Sequence, residues 1–161
     1  MEDGTAARRE VALLLRRLTV ELDAVSQRFA AAHGLNRTDV RALVAIMDAA
    51  RHGRALTAGG LGAAVDLRSA SVTALVDRLE RVGHVRRVRD PEDRRRVSLH
   101  MTESATAAGA EHFGGLAADL LAAMEGYSDE EVAVVGRFLT DMTEVVARHA
   151  RAAGEPPEPQ R

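Results

Sequence analysis

The sequence contains no cysteine, no tryptophan and no lysine, so all 22 of its basic residues are arginine. Without cysteine there is no disulfide scaffold, no thiolate metal site and no thiol redox switch. Aromatic residues make up only 2% of the 161 positions, and the core must therefore be built from Ala, Val and Leu. A thin aliphatic core favours burying further surface by oligomerising. No run approaches the roughly 18 consecutive apolar residues of a membrane span, and the opening MEDGTAARRE lacks the apolar centre of a signal peptide. The expected location is the cytoplasm, with no membrane partner. The six histidines (His33, His52, His84, His100, His112 and His149) show no ligand spacing such as H-E-x-x-H, so no metal or cofactor is expected. No Ser/His/Asp arrangement is discernible, and the chain does not read as an enzyme.

What is present is a charge asymmetry hidden by a formal net charge of -2. Residues 51–100 hold 11 arginines against six acids, a surplus of +5, while the remainder holds 11 against 18, a deficit of -7. A basic middle between acidic flanks suits one polyanion-binding face on a soluble protein. It equally suits a solvated arginine surface, and charge alone does not separate the two.

Hydrophobic spacing organises the rest. Val11, Leu14, Leu15, Leu18, Leu22, Val25 and Phe29 recur at three- and four-residue steps, which predicts a long amphipathic helix over 5–31, ended at Gly34. Thr38 is the expected cap of a second helix striped by Val40, Leu43, Val44 and Met47, closed by Gly53. Thr57 caps a third, short segment, TAGGLGAAV, whose glycines each cost about 1 kcal/mol against alanine, so tertiary packing must hold it. The Gly59-Gly60-Leu61-Gly62 run has neither a preceding strand nor a following G-K-[ST], unlike a phosphate loop. DLRSASVTALVDRLERVGHV follows, with Val72, Leu75, Val76 and Leu79 on one face, Ser69, Ser71, Thr73 and Arg78 on the other, and Gly83 at the end. A link of only three or four residues between these two helices resembles a helix-turn-helix.

The stretch VRRVRDPEDRRRVSLHM comes next. Val85 and Val88, then Val97, Leu99 and Met101, alternate with polar residues, the period of strands. Asp90-Pro91-Glu92-Asp93 between them is turn chemistry, in which proline fixes φ and the acids bond local amides. The expected element is a β-hairpin with an arginine-rich tip. Thr102 caps a long helix in which Gly109, Gly114 and Gly115 predict a bend or a close helix contact. Ser128 and Glu131 open a capping box. The last helix runs through Val132, Val135, Leu139, Met142 and Val146 to about His149, and the Pro-rich tail at 151–161 is expected to be disordered.

Short helix, turn, helix and charged hairpin, in that order, resemble the winged helix-turn-helix of the MarR (multiple antibiotic resistance regulator) family. The likeness runs through LTAGGLGAAVDLRSASVTALVDRLERVGHVRRVRDPEDRRRVSLHMT, residues 56–102, and is strongest in VTALVDRLERVGHVRR and DPEDRRRVSLHMT. With the flanking helices it spans roughly 8–149. The resemblance implies a mainly α fold with a small β-hairpin wing. It implies an N-terminal dimerisation helix at 5–34, a winged domain at 36–102 and C-terminal dimerisation helices at 103–150. It further implies a homodimer joined through residues such as Leu14, Leu18, Leu22, Val135, Leu139 and Met142, with one helix in the major groove and the wing over the minor groove. Two departures stand out. Arg68 occupies a position where the family often has a serine cap, so either Asp66 caps the helix or it begins at Ser69. Ala74 replaces a side chain that many relatives have as basic.

Double-stranded DNA is the implied partner, with the chain itself and a small-molecule effector beside it. Arg94 is the expected wing-tip group, because guanidinium stays charged and suits a narrow, negative minor groove. Asp93 and Arg95 match the family's Asp-x-Arg motif and, with Asp90 and Pro91, mainly scaffold the wing, Arg95 also counting among the DNA-binding residues, while Arg96 is expected on the opposite strand face. Arg68, Ser69, Ser71 and Thr73 are the candidates to meet bases or phosphates, and Thr57 offers a helix N-terminus to a phosphate. Arg86, Arg87 and Arg89 either extend the phosphate track or pair with Glu80. The function this implies is a ligand-responsive, sequence-specific regulator, usually a repressor, on a palindromic operator. The alternative is a protein-interaction module with a basic surface.

Overall fold

The computed structural model describes the backbone of residues 2–90, 93 and 96–154, and the side chains of these except at 2, 3 and 151–154. The described residues form six helices and one three-stranded antiparallel sheet, in the order α1 (Glu2–Ala32), α2 (Arg37–Arg51), β1 (Leu56–Thr57), α3 (Ala58–Val65), α4 (Ser69–Arg81), β2 (Val85–Arg89), β3 (Val97–Met101), α5 (Glu103–Met124) and α6 (Asp129–Gly154). The mainly α fold with a β wing is as expected. The chain divides into two compact units, Met1–His112 and Phe113–Arg161.

In the first unit, α1 ends where Gly34 takes φ +64° and the Leu35 amide donates back to the Ala30 carbonyl at 2.8 Å. That left-handed turn is open to glycine at little cost. The cap of α2 is Asn36, not Thr38. The Asn36 side chain accepts from the Asp39 amide at 3.0 Å, and the Asp39 carboxylate accepts from the Asn36 amide at 2.9 Å. Thr38 falls at the second helical position, too late to reach the orphan amides.

The core of this unit is aliphatic. Ala42, Leu43 and Ile46 of α2 meet Leu61 and Val65 of α3 and Val72, Leu75, Val76 and Leu79 of α4, with Val85 and Leu99 closing it from the sheet. Gly62 of α3 packs against the turn and against Val72 of α4. A Cβ there would lie 3.0 Å from the Leu67 carbonyl oxygen and 3.0 Å from Val72 Cγ2. The glycine-rich run therefore serves packing across the turn, not a phosphate.

The sheet has strand order β1-β3-β2, with β2 and β3 in register from Val85↔Met101 to Arg89↔Val97. β1, two residues long, pairs Leu56 with Leu99 and Thr57 with Ser98. Periodicity gave no sign of so short a strand. Thr102 joins the hairpin to α5: its hydroxyl donates to the Gly83 carbonyl at 2.7 Å and accepts from the Ala105 amide at 3.1 Å.

α5 runs unbroken through Gly109, Gly114 and Gly115, and among the described residues nothing lies within 4 Å of a Cβ built on any of the three. The expected close helix contact is therefore not made at these glycines among the described residues. In the second unit the Ser128/Glu131 capping box forms, with bonds of 2.9 and 3.3 Å. α6 carries on through Gly154, past the expected end near His149, and the rest of the expected tail lies outside the described residues.

Candidate nucleic-acid interface

α3 and α4 are joined by Asp66, Leu67 and Arg68 alone. Asp66 does not cap α4. It ends α3 in the left-handed region, at φ 57° and ψ 55°, a conformation aspartate tolerates better than most residues. Arg68 holds the N-cap position of α4 but makes no side-chain cap bond, so its guanidinium is left exposed at the helix N-terminus. Thr57 does cap α3: its hydroxyl accepts from the Gly60 amide at 3.2 Å.

At about 100° per residue, burying Val72, Leu75, Val76 and Leu79 turns Ala70, Ala74, Asp77 and Arg81 directly outward. Ser69 and Thr73 flank that stripe on one side and Ser71 on the other, all exposed. The Thr73 hydroxyl donates to the Ser69 carbonyl at 3.1 Å, leaving its methyl and lone pairs for other contacts. Sequence reasoning picked the polar flanks and, from the middle of the face, only Ala74, since alanines carry little chemical signal. Their small size lets the helix backbone approach another surface closely.

The arginines divide into held and unheld groups. Arg87 of β2 is held by α4, 2.6 Å from Asp77 and paired also with Glu80. The Asp77 hydrogen bond, aided by Glu80, raises its proton affinity above the usual arginine range against partial desolvation. Of the two roles left open for it, pairing is the one found. Arg78, grouped by sequence with the open polar face, instead pairs with Asp39 of α2, whose side chain is 2% exposed. Among the described residues, Arg68, Arg81, Arg86, Arg89 and Arg96 have no ion-pair partner. All five are exposed.

At the hairpin tip, Asp90 and Asp93 build the turn. The Asp90 carboxylate accepts from the Asp93 amide at 3.2 Å, the Arg96 amide donates to the Asp93 carbonyl at 2.9 Å, and the Asp90 amide donates to the Arg96 carbonyl at 2.9 Å. Arg96 thus closes the turn just before β3 rather than lying on a strand face. Pro91, Arg94 and Arg95 lie outside the described residues.

Away from this face, a groove of about 640 Å³ runs between α1, α2 and α3, with Ala30, Leu35, Val40, Val44 and Val65 among its apolar lining and Arg41 and the Arg37–Asp23 pair among its polar lining. Of the residues expected at a dimer contact, Leu14, Leu18 and Leu22 on α1 and Val135 and Leu139 on α6 are exposed to 40% or more, and Met142 is half-buried. Among the described residues no His/Asp/Glu group is arranged to hold a metal ion, and no helix is long and apolar enough to cross a membrane.

Comparison with known proteins agrees with this geometry. Residues 33–96 match the model of the MarR family. Across 133 residues the chain is 32% identical to the uncharacterized HTH-type transcriptional regulator YcgE of Bacillus subtilis (strain 168), covering 83% of this chain and 84% of that one. It is 30% identical to the HTH-type transcriptional repressor YetL of the same organism over 135 residues, 84% of this chain and 80% of that one. The solved structure of a MarR family protein from Bacillus stearothermophilus superposes with a TM-score of 0.61 at 29% identity, covering 91% of this chain and 98% of that one. The helix-turn-helix, the charged hairpin beside it and these likenesses agree: the chain belongs to the MarR family of winged helix-turn-helix transcriptional regulators.

Proposed function

We propose that the chain represses transcription as a homodimer bound to a palindromic operator, and that a small molecule releases it. The observation that carries this reading is the small-residue outer stripe of α4, Ala70 and Ala74, set between unpaired Arg68 and Arg81 and beside a hairpin rich in unpaired arginine. α4 lies in the major groove, where Ser69, Ser71 and Thr73 reach base edges or phosphates from the two flanks. The wing crosses the minor groove and Arg94 enters it, while Arg86, Arg89 and Arg96 neutralise phosphates. Asp90, Pro91, Asp93 and Arg95 hold the tip. The exposed leucines and valines of α1 and α6 meet their counterparts in a second copy, since unpaired apolar stripes of this length are costly in water. The YetL relative is a repressor by name, which favours the same sign here.

Two identical α4 helices need about 34 Å between half-sites, one DNA turn. An effector seated in the groove between α1, α2 and α3 weakens binding only by its preference for a dimer of different spacing. Footprinting of the DNA upstream of the chain's own gene tests the reading and should reveal one protected palindrome. Arg94→Ala should weaken operator binding at least several-fold with a shallower salt slope. Unchanged affinity at matched salt overturns the wing assignment, and absence of any protected site overturns the regulator reading.

A further inference from the structure

In the first unit two histidines pack against one phenylalanine and a third packs against one of them. Phe29 of α1 is 6% exposed. Its ring centroid lies 4.3 Å from that of His33 and 5.2 Å from that of His112 of α5, and His33 lies 6.4 Å from His84, edge to face. His33 Nδ1 is bonded to the Phe29 carbonyl at 2.9 Å. His84 occupies the junction between α4 and β2, its amide donating to the Leu79 carbonyl and its carbonyl accepting from the Thr102 amide. The chain of rings therefore runs from α5 and α1 to the base of the DNA-facing helix and the wing. Nothing in the DNA-binding reading uses it.

We propose that the ring chain His112–Phe29–His33–His84 forms a proton-operated coupling between the α1–α5 side of the first unit and the DNA-facing helix, and that mild acid lowers DNA affinity through it. Its output rests on the DNA-binding reading; its input does not. The charged and titratable groups that act on His84 are His33 from the end of α1 and Asp39 from α2; Asp39 in turn pairs with Arg78 of α4, and His112 of α5 lies against Phe29. Burial pushes the His84 imidazole below its ordinary value of 6.5, a positive His33 pushes it further, and Asp39 opposes both. Its lowered proton affinity favours the uncharged His84 imidazole, which packs edge to face against His33. As pH falls below about 6.5 the unfolded chain takes up a proton that the folded cluster resists, so stability falls with pH until the folded value is passed. A proton forced onto His84 repels a charged His33 and attracts Asp39. The first effect loosens the end of α1 from the α4–β2 junction. The second draws Asp39 away from Arg78, the ion pair that fixes α4 against α2.

The full-length chain provides the test. Histidine Cε1–H resonances are followed by NMR between pH 7.5 and 5.5, urea midpoints are measured over the same range, and duplex affinity is read by anisotropy at constant ionic strength. His84 should titrate below the ordinary range and rise toward it in His33→Gln. Wild type should lose several-fold in affinity on acidification, with a ceiling of about tenfold for each pH unit crossed when a single proton is taken up, and His84→Leu should flatten both the stability and the affinity profiles. His100→Gln, which removes the wing histidine, should leave the loss in place. Ordinary, independent titration of His84, or an acid loss unchanged in His84→Leu, overturns the proposal. If both variants fail to fold, the wild-type titration decides. If no duplex is bound at any pH, the DNA-binding reading falls, while the NMR and urea arms still decide whether the rings are coupled.

Discussion

Replacing Asp39 or Arg78 tests how α4 is held. Asp39 makes two bonds through one nearly buried carboxylate: it accepts from the Asn36 amide at 2.9 Å, completing the α2 cap, and it takes a charge-assisted bond from Arg78. Asp39→Ala removes both. The cap half is worth about 1 kcal/mol. The bond to guanidinium is worth about 1.5–3 kcal/mol, at the low end here because Arg78 is 41% exposed and can rehydrate. The sum is about 2–4 kcal/mol, or a fall in Tm of roughly 4–16 °C for a chain of this size. Arg78→Ala leaves the cap intact but strands a carboxylate that is 2% exposed, and removing one partner of a buried pair costs about 3–5 kcal/mol. The more exposed member of the pair should therefore be the costlier to truncate. Urea denaturation followed by circular dichroism, at one fixed protein concentration because the chain is expected to dimerise, gives both values and the double mutant. If Arg78→Ala lies within about 0.5 kcal/mol of wild type, the pair behaves as a surface salt bridge, and burial of Asp39 does not set its energy.

Gly62→Ala should destabilise by about 1–3 kcal/mol despite its better helix propensity, because the new methyl meets a backbone oxygen and Val72 Cγ2 at 3.0 Å, both of which must shift to admit it; Gly109→Ala, with nothing near its Cβ, should be neutral or stabilising by up to about 1 kcal/mol. Thermal melts of the two variants separate packing from propensity. Arg87→Ala frees Asp77 and Glu80 beside the DNA face, so it should weaken duplex binding through repulsion of phosphates while costing little stability. Restored affinity in Arg87→Ala/Asp77→Ala, measured by anisotropy, would attribute the loss to the freed carboxylate.

The helices that line the core were legible because each carries its own periodic stripe, as Val72, Leu75, Val76 and Leu79 do. The hairpin was legible from alternating valines around a proline turn. Local signals became ambiguous where two residues satisfied the same rule. Thr38 and Asn36 are both good caps, and only the reciprocal bond from Asp39 three residues on selects Asn36. Glycine was ambiguous in the same way: Gly62 is demanded by an atom five residues away, whereas Gly109 is demanded by nothing nearby. Contacts distant in sequence left no trace in any window. Arg78 reads as one more exposed arginine until Asp39, 39 positions earlier, is placed beside it, and Arg87 stays open between a phosphate and Glu80 until the fold sets Asp77 and Glu80 beside it. These two contacts change what the basic face is. A surplus of arginine in 51–100 suggested a uniform patch, yet part of that charge is consumed in fixing α4 to its neighbours. The charge left for a polyanion lies at the two ends of α4 and along the wing, around a middle of alanines and an Asp77 neutralised by Arg87. That distribution suits a helix seated deep in a groove with its cations at the rims, and it argues against a flat acidic partner, which would meet alanine where it most needs charge.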